Sequence, residues 1–126
     1  MRIGTNMSLL TATGQIFLSF MPEERTRDLL KRDIEDWKQE SQESTASLEK
    51  SMRQRVRVQK VGIAKTRGMR NPTWMAFSCP VFDPGGDFRM ALTVIGVSAL
   101  FDTSLEGPVA DQLKASAKQL SSTIIT

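Results

Sequence analysis

Residues 74–98, WMAFSCPVFDPGGDFRMALTVIGVS, constrain the fold of this chain more than any other segment. Apolar residues alternate with smaller or polar ones on both sides of residues 83–87, which is the pattern of two half-buried strands. In the turn, Pro84 fixes one backbone angle, and Gly85 and Gly86 tolerate the positive φ that chain reversal needs. The segment therefore predicts a β-hairpin with an apolar face made of Met75, Phe77, Cys79, Val81, Phe88, Met90, Leu92 and Val94.

The opposite face of the predicted hairpin is mixed and carries small or hydroxyl-bearing side chains, among them Ala76, Ser78 and Thr93. Such side chains leave room for a ligand and offer hydrogen bonds, so this face is a candidate binding surface. A sheet covered by helices on both faces would explain the same pattern without any ligand. Both interpretations are compatible with the pattern alone.

The chain length and composition indicate one soluble domain. A chain of 126 residues is long enough for a single core, and 40% hydrophobic with 25% charged residues is ordinary for a globular protein. No window approaches the run of about 20 apolar residues that a membrane helix needs, and residues 1–8 lack the apolar core of a signal peptide. We therefore expect a cytoplasmic protein.

The sequence contains no histidine and no tyrosine, which limits the chemistry available to it. A Ser-His-Asp or Cys-His arrangement and imidazole metal ligation are excluded. The single cysteine, Cys79, lies in a predicted strand, so we expect a buried hydrophobic residue and no disulfide or cysteine-based zinc site. The acids Asp33, Glu35 and Asp36 do not share one helix face, and no other convergent acid pair is evident. We expect no catalytic residue, no metal site and no cofactor.

Four helices are predicted around the hairpin, beginning near Thr11, at Pro22-Glu23, near Ala46 and at Gly107-Pro108. Gly62 ends the third helix, and a short strand candidate follows it at residues 63–65. The apolar stripes of the last three helices comprise Leu30, Ile34 and Trp37; Leu48, Met52 and Val56; and Val109, Leu113, Leu120 and Ile124. Residues 39–47 and 66–72 are expected to be surface connections.

The start of the first helix, Thr11-Ala12-Thr13-Gly14, is a candidate anion site. The first N–H groups of a helix have no intrahelical acceptor, and the positive end of the helix dipole lies there. Close packing of Ala12 and Gly14 against the sheet is an equally physical explanation for the small residues.

Charge is unevenly distributed along the chain. Nine of the fourteen acids lie between Glu23 and Glu49, whereas residues 50–70 contain eight basic residues and no acid. Clustered Lys and Arg are typical of phosphate binding, so a nucleic-acid-binding module that uses the stretch from Lys50 to Arg70 is an alternative function. Only Trp74 follows this stretch, and no interleaved aromatic residues form a stacking platform for single strands.

Four segments, in order, resemble the C-terminal effector-binding domain of IclR-type bacterial transcription regulators. They are LLTATGQIFLSFMPEE at residues 9–24, the helix leading into Gly62-Ile63-Ala64, SCPVFD at residues 78–83 and ALTVIGV at residues 91–97. No single motif is highly specific, but their order and spacing are similar to the family pattern over nearly the whole chain.

The resemblance implies an α+β fold with an antiparallel sheet flanked by helices, of the GAF/profilin-like sensor type. Residues 1–126 would form the C-terminal part of that domain, with its N-terminal strands and the winged helix-turn-helix DNA-binding domain absent. Such domains bind a small effector, often a carboxylate, and work as homodimers or homotetramers that control DNA binding allosterically. DNA would be contacted only through the N-terminal domain.

The resemblance also implies a set of effector-binding residues. Backbone N–H groups at Ala12 and Thr13 would hold the carboxylate, and the other contacts would come from Thr66, Trp74, Ala76, Thr93 and Ile95. Family members often have an acid in place of Thr66, a polar or thiol side chain in place of Ala76 and a hydroxyl in place of Ile95. We therefore expect a larger and more apolar effector, such as an aromatic carboxylate, with Arg67 or Arg70 as its charge partner.

Overall fold

A three-stranded antiparallel sheet carries helices on both faces in the computed structural model, which describes residues 11–40, 48–67, 73–100 and 102–124 and only the backbone of 37–40. The order along the chain is α1 (Ala12–Phe20), α2 (Glu23–Glu40), α3 (Leu48–Val61), β1 (Ala64–Arg67), β2 (Trp74–Phe82), β3 (Phe88–Val97), a short 3-10 helix (Ser98–Leu100) and α4 (Pro108–Thr123). The sheet order is β1-β2-β3. The α+β architecture and the hairpin are confirmed.

The apolar face of the sheet packs against α4. Phe77, Cys79 and Val81 of β2 are almost completely buried there, and Leu92 and Val94 of β3 pack beside them. Residues of α4 complete this cluster at the spacing expected for one helix face, namely Val109, Ala110, Leu113, Ala117, Leu120 and Ile124. Helix α4 therefore covers one face of the sheet, as its apolar stripe predicts.

Phe88 does not lie on this face, which corrects the expected alternation in the second strand. A β-bulge shifts the register between Val81 and Phe82, so that Val81 pairs with Met90 while Phe82 pairs with Phe88. An extra residue in one strand moves the side chains beyond it to the opposite face of the sheet. Phe88 consequently packs on the other side of the sheet, where its ring meets Phe17 of α1 edge to face with 5.3 Å between ring centroids.

Helices α1 and α3 cover part of the opposite face of the sheet, which carries the small and hydroxyl-bearing side chains. Ala12 and Ile16 of α1 form a buried cluster with Val58 of α3 and Ala64 of β1. Val56 is 61% exposed, so its predicted place in the apolar stripe of α3 is wrong. The buried side of α3 is centred on Ser51 and Val58, because these residues lie seven apart and the helix repeats every 3.6 residues.

Two polar side chains of α3 fasten it to the end of α1. The Arg55 guanidinium donates a hydrogen bond to the carbonyl of Leu18 at 2.9 Å, and the Gln59 amide donates to the carbonyl of Ser19 at 2.6 Å. The last carbonyls of a helix have no intrahelical donor, so these side chains satisfy groups that would otherwise be unpaired. Arg55 is therefore partly buried, although a charged side chain is usually exposed.

The predicted turns and helix ends are observed where glycine is needed. Gly62 ends α3 with φ of +80°, and Gly86 in the hairpin turn has φ of +92°. Thr11 caps α1, accepting a hydrogen bond from the N–H of Gly14 at 3.0 Å. At the other end of the chain, the Ser121 hydroxyl donates to the carbonyl of Phe82 and fastens α4 beside the bulge.

The hairpin turn is built around the buried carboxylate of Asp83. Its Oδ1 accepts the N–H of Asp87 at 3.0 Å, and its Oδ2 accepts Nε of Arg89 at 2.7 Å. The hydrogen bond and charge of Arg89 hold the pKa of the Asp83 carboxyl below its ordinary value, with further help from the Asp87 N–H. The ionised form therefore stabilises the turn that joins β2 and β3.

Burial likewise sets the chemistry of the single cysteine. Desolvation raises the pKa of the Cys79 thiol to about 11, against a smaller lowering by the positive charge of Lys114. The thiolate is the reactive form of cysteine, so this thiol is unreactive in the folded protein, as its position in a strand predicts.

Replacing the buried carboxylate tests its role in the turn. Asp83→Asn should lower Tm by a few degrees at pH 7, because the amide cannot form the ion pair with Arg89. The pKa of Asp83 is lower in the folded than in the unfolded protein, so its contribution is complete above the ordinary carboxyl pKa and decreases as the pH falls through the folded value. Thermal unfolding between neutral and acidic pH should show that the difference in Tm between wild type and variant decreases as the pH is lowered.

Asp87→Asn is the matched control for that experiment, since Asp87 lies in the same turn but is exposed and contributes only backbone groups to the Asp83 network. This variant should unfold at nearly the wild-type Tm. A Tm difference between wild type and Asp83→Asn that stays constant across the pH range would contradict the stabilising role of the ionised Asp83 carboxylate.

Candidate functional site

The pairing of the strands brings most of the predicted site residues onto one face of the sheet. Ala76 pairs with Thr66 on one side and with Ile95 on the other, and Ser78 pairs with Thr93. Trp74 lies two residues before Ala76 and therefore shares their side of β2. We call this set the mixed face, and it consists of Thr66, Trp74, Ala76, Ser78, Thr93 and Ile95.

One end of the mixed face is covered by helices and the other is open. Ser78 is completely buried, whereas Trp74 is 44% exposed and Ile95 is 57% exposed although both are large and apolar. Exposed apolar surface beside polar groups is typical of a site that a ligand or a partner covers. The open end of the mixed face is therefore the candidate site.

The first turn of α1 lies against this face. The hydroxyl of Thr13 is 2.6 Å from the hydroxyl of Thr93, and the side chain of Ala12 is buried in the same cluster as Ala64, with Ala76 packed against that cluster. Thus Ala12 packs closely on the sheet, as one interpretation of the sequence expects. Close packing and an anion site are compatible, because they use different atoms of the same turn.

Two backbone N–H groups of this turn have no partner within the helix. Thr11 accepts the N–H of Gly14 with its side chain and the N–H of Gln15 with its carbonyl. The N–H groups of Ala12 and Thr13 come first in the helix and have no intrahelical acceptor. They lie at the positive end of the helix dipole, which favours an anion such as a carboxylate.

A chain of three hydroxyls connects this helix to the centre of the sheet. Thr93 donates to Ser78 at 2.8 Å, and because a hydroxyl has only one proton, Thr93 accepts the hydrogen bond from Thr13. Ser78 was noted for the mixed face but was not among the predicted ligand contacts. Its position opposite Thr93 depends on the register of the hairpin, which the alternation of residues alone does not specify.

Of the two arginines proposed as charge partners, Arg67 is not brought to this site. Arg67 pairs with Met75, whose side chain lies on the apolar side of the sheet, and the Arg67 side chain is exposed. Strand residues alternate between faces, so Arg67 lies opposite to Thr66. Arg70 falls outside the described residues.

The basic stretch from Lys50 to Arg67 does not form one surface. Lys65 and Arg67 alternate onto the side of the sheet that α4 covers, whereas α3 lies on the mixed side. On α3, Arg53 pairs with Glu49 at 3.2 Å and Arg55 binds the carbonyl of Leu18. The exposed residues Lys50, Arg53, Arg57 and Lys60 share one face of α3, whereas Lys65 and Arg67 lie on the other side of the sheet.

The described residues contain neither a metal-ligand cluster nor a membrane-spanning helix. No group of three or more Asp, Glu or Cys side chains there is arranged to hold a metal ion. The helices that the structure describes include none long and apolar enough to cross a membrane.

The fold agrees with the family that the sequence matches. Residues 1–122 match the family described as bacterial transcriptional regulator IclR C-terminal. This chain belongs to the IclR family. The suspected resemblance is thereby confirmed, and its relatives are transcription regulators that carry this segment as an effector-binding domain. No curated protein sequence matches the chain closely enough to add to this assignment.

Solved structures with this fold come from several bacteria. HmgR from Pseudomonas aeruginosa is similar with a TM-score of 0.79 and 26% identity over 96% of this chain and 46% of HmgR. IclR from Thermotoga maritima has a TM-score of 0.71 and 24% identity over 95% of this chain and 48% of its own. This chain therefore spans about half the length of these two regulators.

A third similar structure contains a ligand. It is the inducer-binding domain of a double mutant of the transcription factor PobR from Acinetobacter, in complex with 3-hydroxybenzoic acid. Its TM-score is 0.75 at 15% identity, over 93% of this chain and 68% of that one. At this identity the likeness establishes a shared fold.

Removing the middle hydroxyl tests whether the three-residue chain fastens α1 to the sheet. Thr93→Val keeps the shape of the side chain but leaves Ser78 and Thr13 without their partner. We expect a loss of about 1–3 kcal/mol in the free energy of unfolding, the cost of unsatisfied buried polar groups, measured by urea denaturation.

The double variant Ser78→Ala/Thr93→Val should be less destabilised than the sum of its single changes, because both partners of one hydrogen bond are then absent. Thr123→Val, at an exposed position of α4, is the matched control and should change the free energy by no more than about 0.5 kcal/mol. Strict additivity in the cycle would contradict the hydrogen-bonded chain.

Proposed function

We propose that this chain is a sensor domain that binds a small carboxylate effector and controls DNA binding of an IclR-family regulator allosterically. The observation that carries the proposal is the position of the α1 N-terminus at the open mixed face. Two backbone donors there, at Ala12 and Thr13, adjoin exposed apolar surface from Trp74 and Ile95. An anionic head group with an apolar body matches this combination.

The effector that suits this face is an aromatic carboxylate. Ala76 and Ile95 form one cross-strand pair and offer no side-chain hydrogen bonds, and Trp74 adds an aromatic surface beside them. Thr66 and Thr93 supply hydroxyls at either side of that pair. The complex of PobR with 3-hydroxybenzoic acid supports this ligand class, because the same fold holds an aromatic carboxylate in that protein.

The proposed mechanism is thermodynamic linkage in a homodimer or homotetramer. An effector that binds one arrangement of the sensor more tightly than another shifts the population toward that arrangement. Operator DNA would be contacted by a separate DNA-binding domain, which accords with the greater length of HmgR and IclR. The domain would act in the cytoplasm without catalysing a reaction.

Thermal unfolding with a panel of small carboxylates, from keto acids to hydroxylated benzoates, tests this proposal. A ligand that binds only the folded state raises Tm by mass action. We expect aromatic carboxylates to raise Tm and the matching carboxamides to have no effect, because the helix N-terminus favours a negative charge. Trp74→Ala should weaken the response to aromatic ligands about tenfold in apparent Kd, corresponding to roughly 1.4 kcal/mol.

A second variant, Ala12→Pro, removes one of the two proposed N–H donors, because proline lacks a backbone N–H. Proline nevertheless suits the first helical position. Thr11 already has the extended backbone that a residue before proline prefers. Val56→Ala, an exposed apolar position on α3, is the control for Trp74→Ala. A cooperatively folding protein that responds equally to acids and amides, or not at all, would contradict the proposal.

A further inference from the structure

A cavity lies between α1 and α2 and is distinct from the mixed face. Its volume is about 270 Å³, and its lining includes Thr13, Phe17 and Met21 from α1 and its C-cap together with Arg25 and Leu29 from α2. It shares Thr13 with the site proposed above and has no other residue in common with it.

The walls of the cavity are apolar and held in place by the core. The ring of Phe17 is fixed edge to face against Phe88, with an interplanar angle of 85°. Thr26 is only 3% exposed, and its hydroxyl is satisfied by the carbonyl of Glu23 at 3.3 Å. Leu29 is apolar and half exposed, and Met21 has a flexible side chain that adapts to a ligand. The cavity therefore offers preformed apolar contact.

One charged residue, the exposed Arg25, is among the residues that line this cavity. No acidic side chain is among the lining residues, and Arg25 forms no ion pair with the residues that the structure describes. Arg25 also lies in the first turn of α2, where the helix dipole is positive, together with Glu23 and Glu24, which do not line the cavity. A guanidinium with free donors binds a carboxylate through paired, charge-assisted hydrogen bonds. The cavity thus favours an anion.

We propose that the α1–α2 cavity is a second binding site, specific for a small apolar carboxylate. Its volume lies near the lower limit of ligand pockets, which begins at about 300 Å³, and suits a single aromatic ring or a short aliphatic chain. Arg25 binds the carboxylate, and Phe17, Met21 and Leu29 contact the apolar body. The existence of this site does not depend on the function proposed above.

Thr13 links the two sites physically. Thr13 is among the residues that line the cavity, and its hydroxyl is bonded to Thr93 on the mixed face at 2.6 Å. A ligand in the cavity that displaces Thr13 alters the hydrogen bonding of Thr93. If the mixed face binds an effector, each ligand then changes the affinity of the other by the same factor. This coupling, unlike the site, rests on the proposed function.

NMR titration of the full chain with phenylacetate separates the two sites. Filling of the cavity should produce saturable shifts at the backbone amides of Thr26 and Leu29, and shifts at Ala76 and Ile95 report the mixed face. Arg25→Gln should raise the Kd measured at Thr26 and Leu29 roughly tenfold. Phenylacetamide should produce no saturable shift there, because it lacks the charge that Arg25 recognises.

Arg27→Gln is the matched control, since Arg27 lies on the same helix, is exposed and does not line the cavity. This variant should bind phenylacetate like the wild type. Leu29→Trp provides a second variant that fills the cavity mouth and should abolish the Thr26 response while the protein still unfolds cooperatively.

Two outcomes would overturn the second site. Saturable shifts confined to Ala76 and Ile95, unchanged by Arg25→Gln, would leave the mixed face as the only site and the proposed function intact. Absence of saturable shifts at Thr26 and Leu29 at millimolar phenylacetate would reject the cavity as a carboxylate site, whatever happens at the mixed face.

Discussion

The burial of strand β2 on both of its faces is the constraint on which this structure depends. Phe77, Cys79 and Val81 face α4, whereas Ser78, between them in sequence, faces α1 and is also fully buried. A strand that is buried on both sides fixes the register of its neighbours, since a slip by one residue would move every side chain to the wrong face. The positions of β1, β3, α1 and α4 all follow from this strand.

The polar side of that strand explains how the candidate site arises without strongly ionisable groups. Ser78 requires a partner because a buried hydroxyl without one is costly, and Thr93 provides it. Thr93 in turn binds Thr13, so the start of α1 is held against the sheet with its first N–H groups unpaired by the helix. The requirement to satisfy one buried hydroxyl thus places an electropositive helix end beside an open sheet face.

Family membership and ligand preference have different physical origins in this chain. The fold shared with HmgR depends on the two-sided core, which tolerates many apolar sequences of similar pattern. In the proposed function, ligand preference would depend on a few side chains at the open end of the mixed face, where Ala76, Ile95 and Trp74 offer apolar surface. A low overall identity is therefore compatible with one architecture and with different effectors among relatives.

Local sequence chemistry determined the hairpin, the four helices and the start of α1. The signals were residues whose backbone or side-chain properties act over a few positions, such as Thr11 as a cap and Gly62 with positive φ. The pattern of the sequence also placed the apolar stripe of α4 correctly, because alternation and helical periodicity report burial directly. The resemblance to the family supplied the ligand contacts that the pattern alone left open.

Only the tertiary structure decided how these elements meet. The bulge before Phe82 moved Phe88 to the other face, and the rotation of α3 about its axis exposes Val56 and buries Val58. The separation of Arg67 from the mixed face and the partnership of Ser78 with Thr93 also required the strand register. Register and helix rotation minimise the exposed apolar area of the whole molecule, so residues far apart in sequence determine them, and no local pattern contains that information.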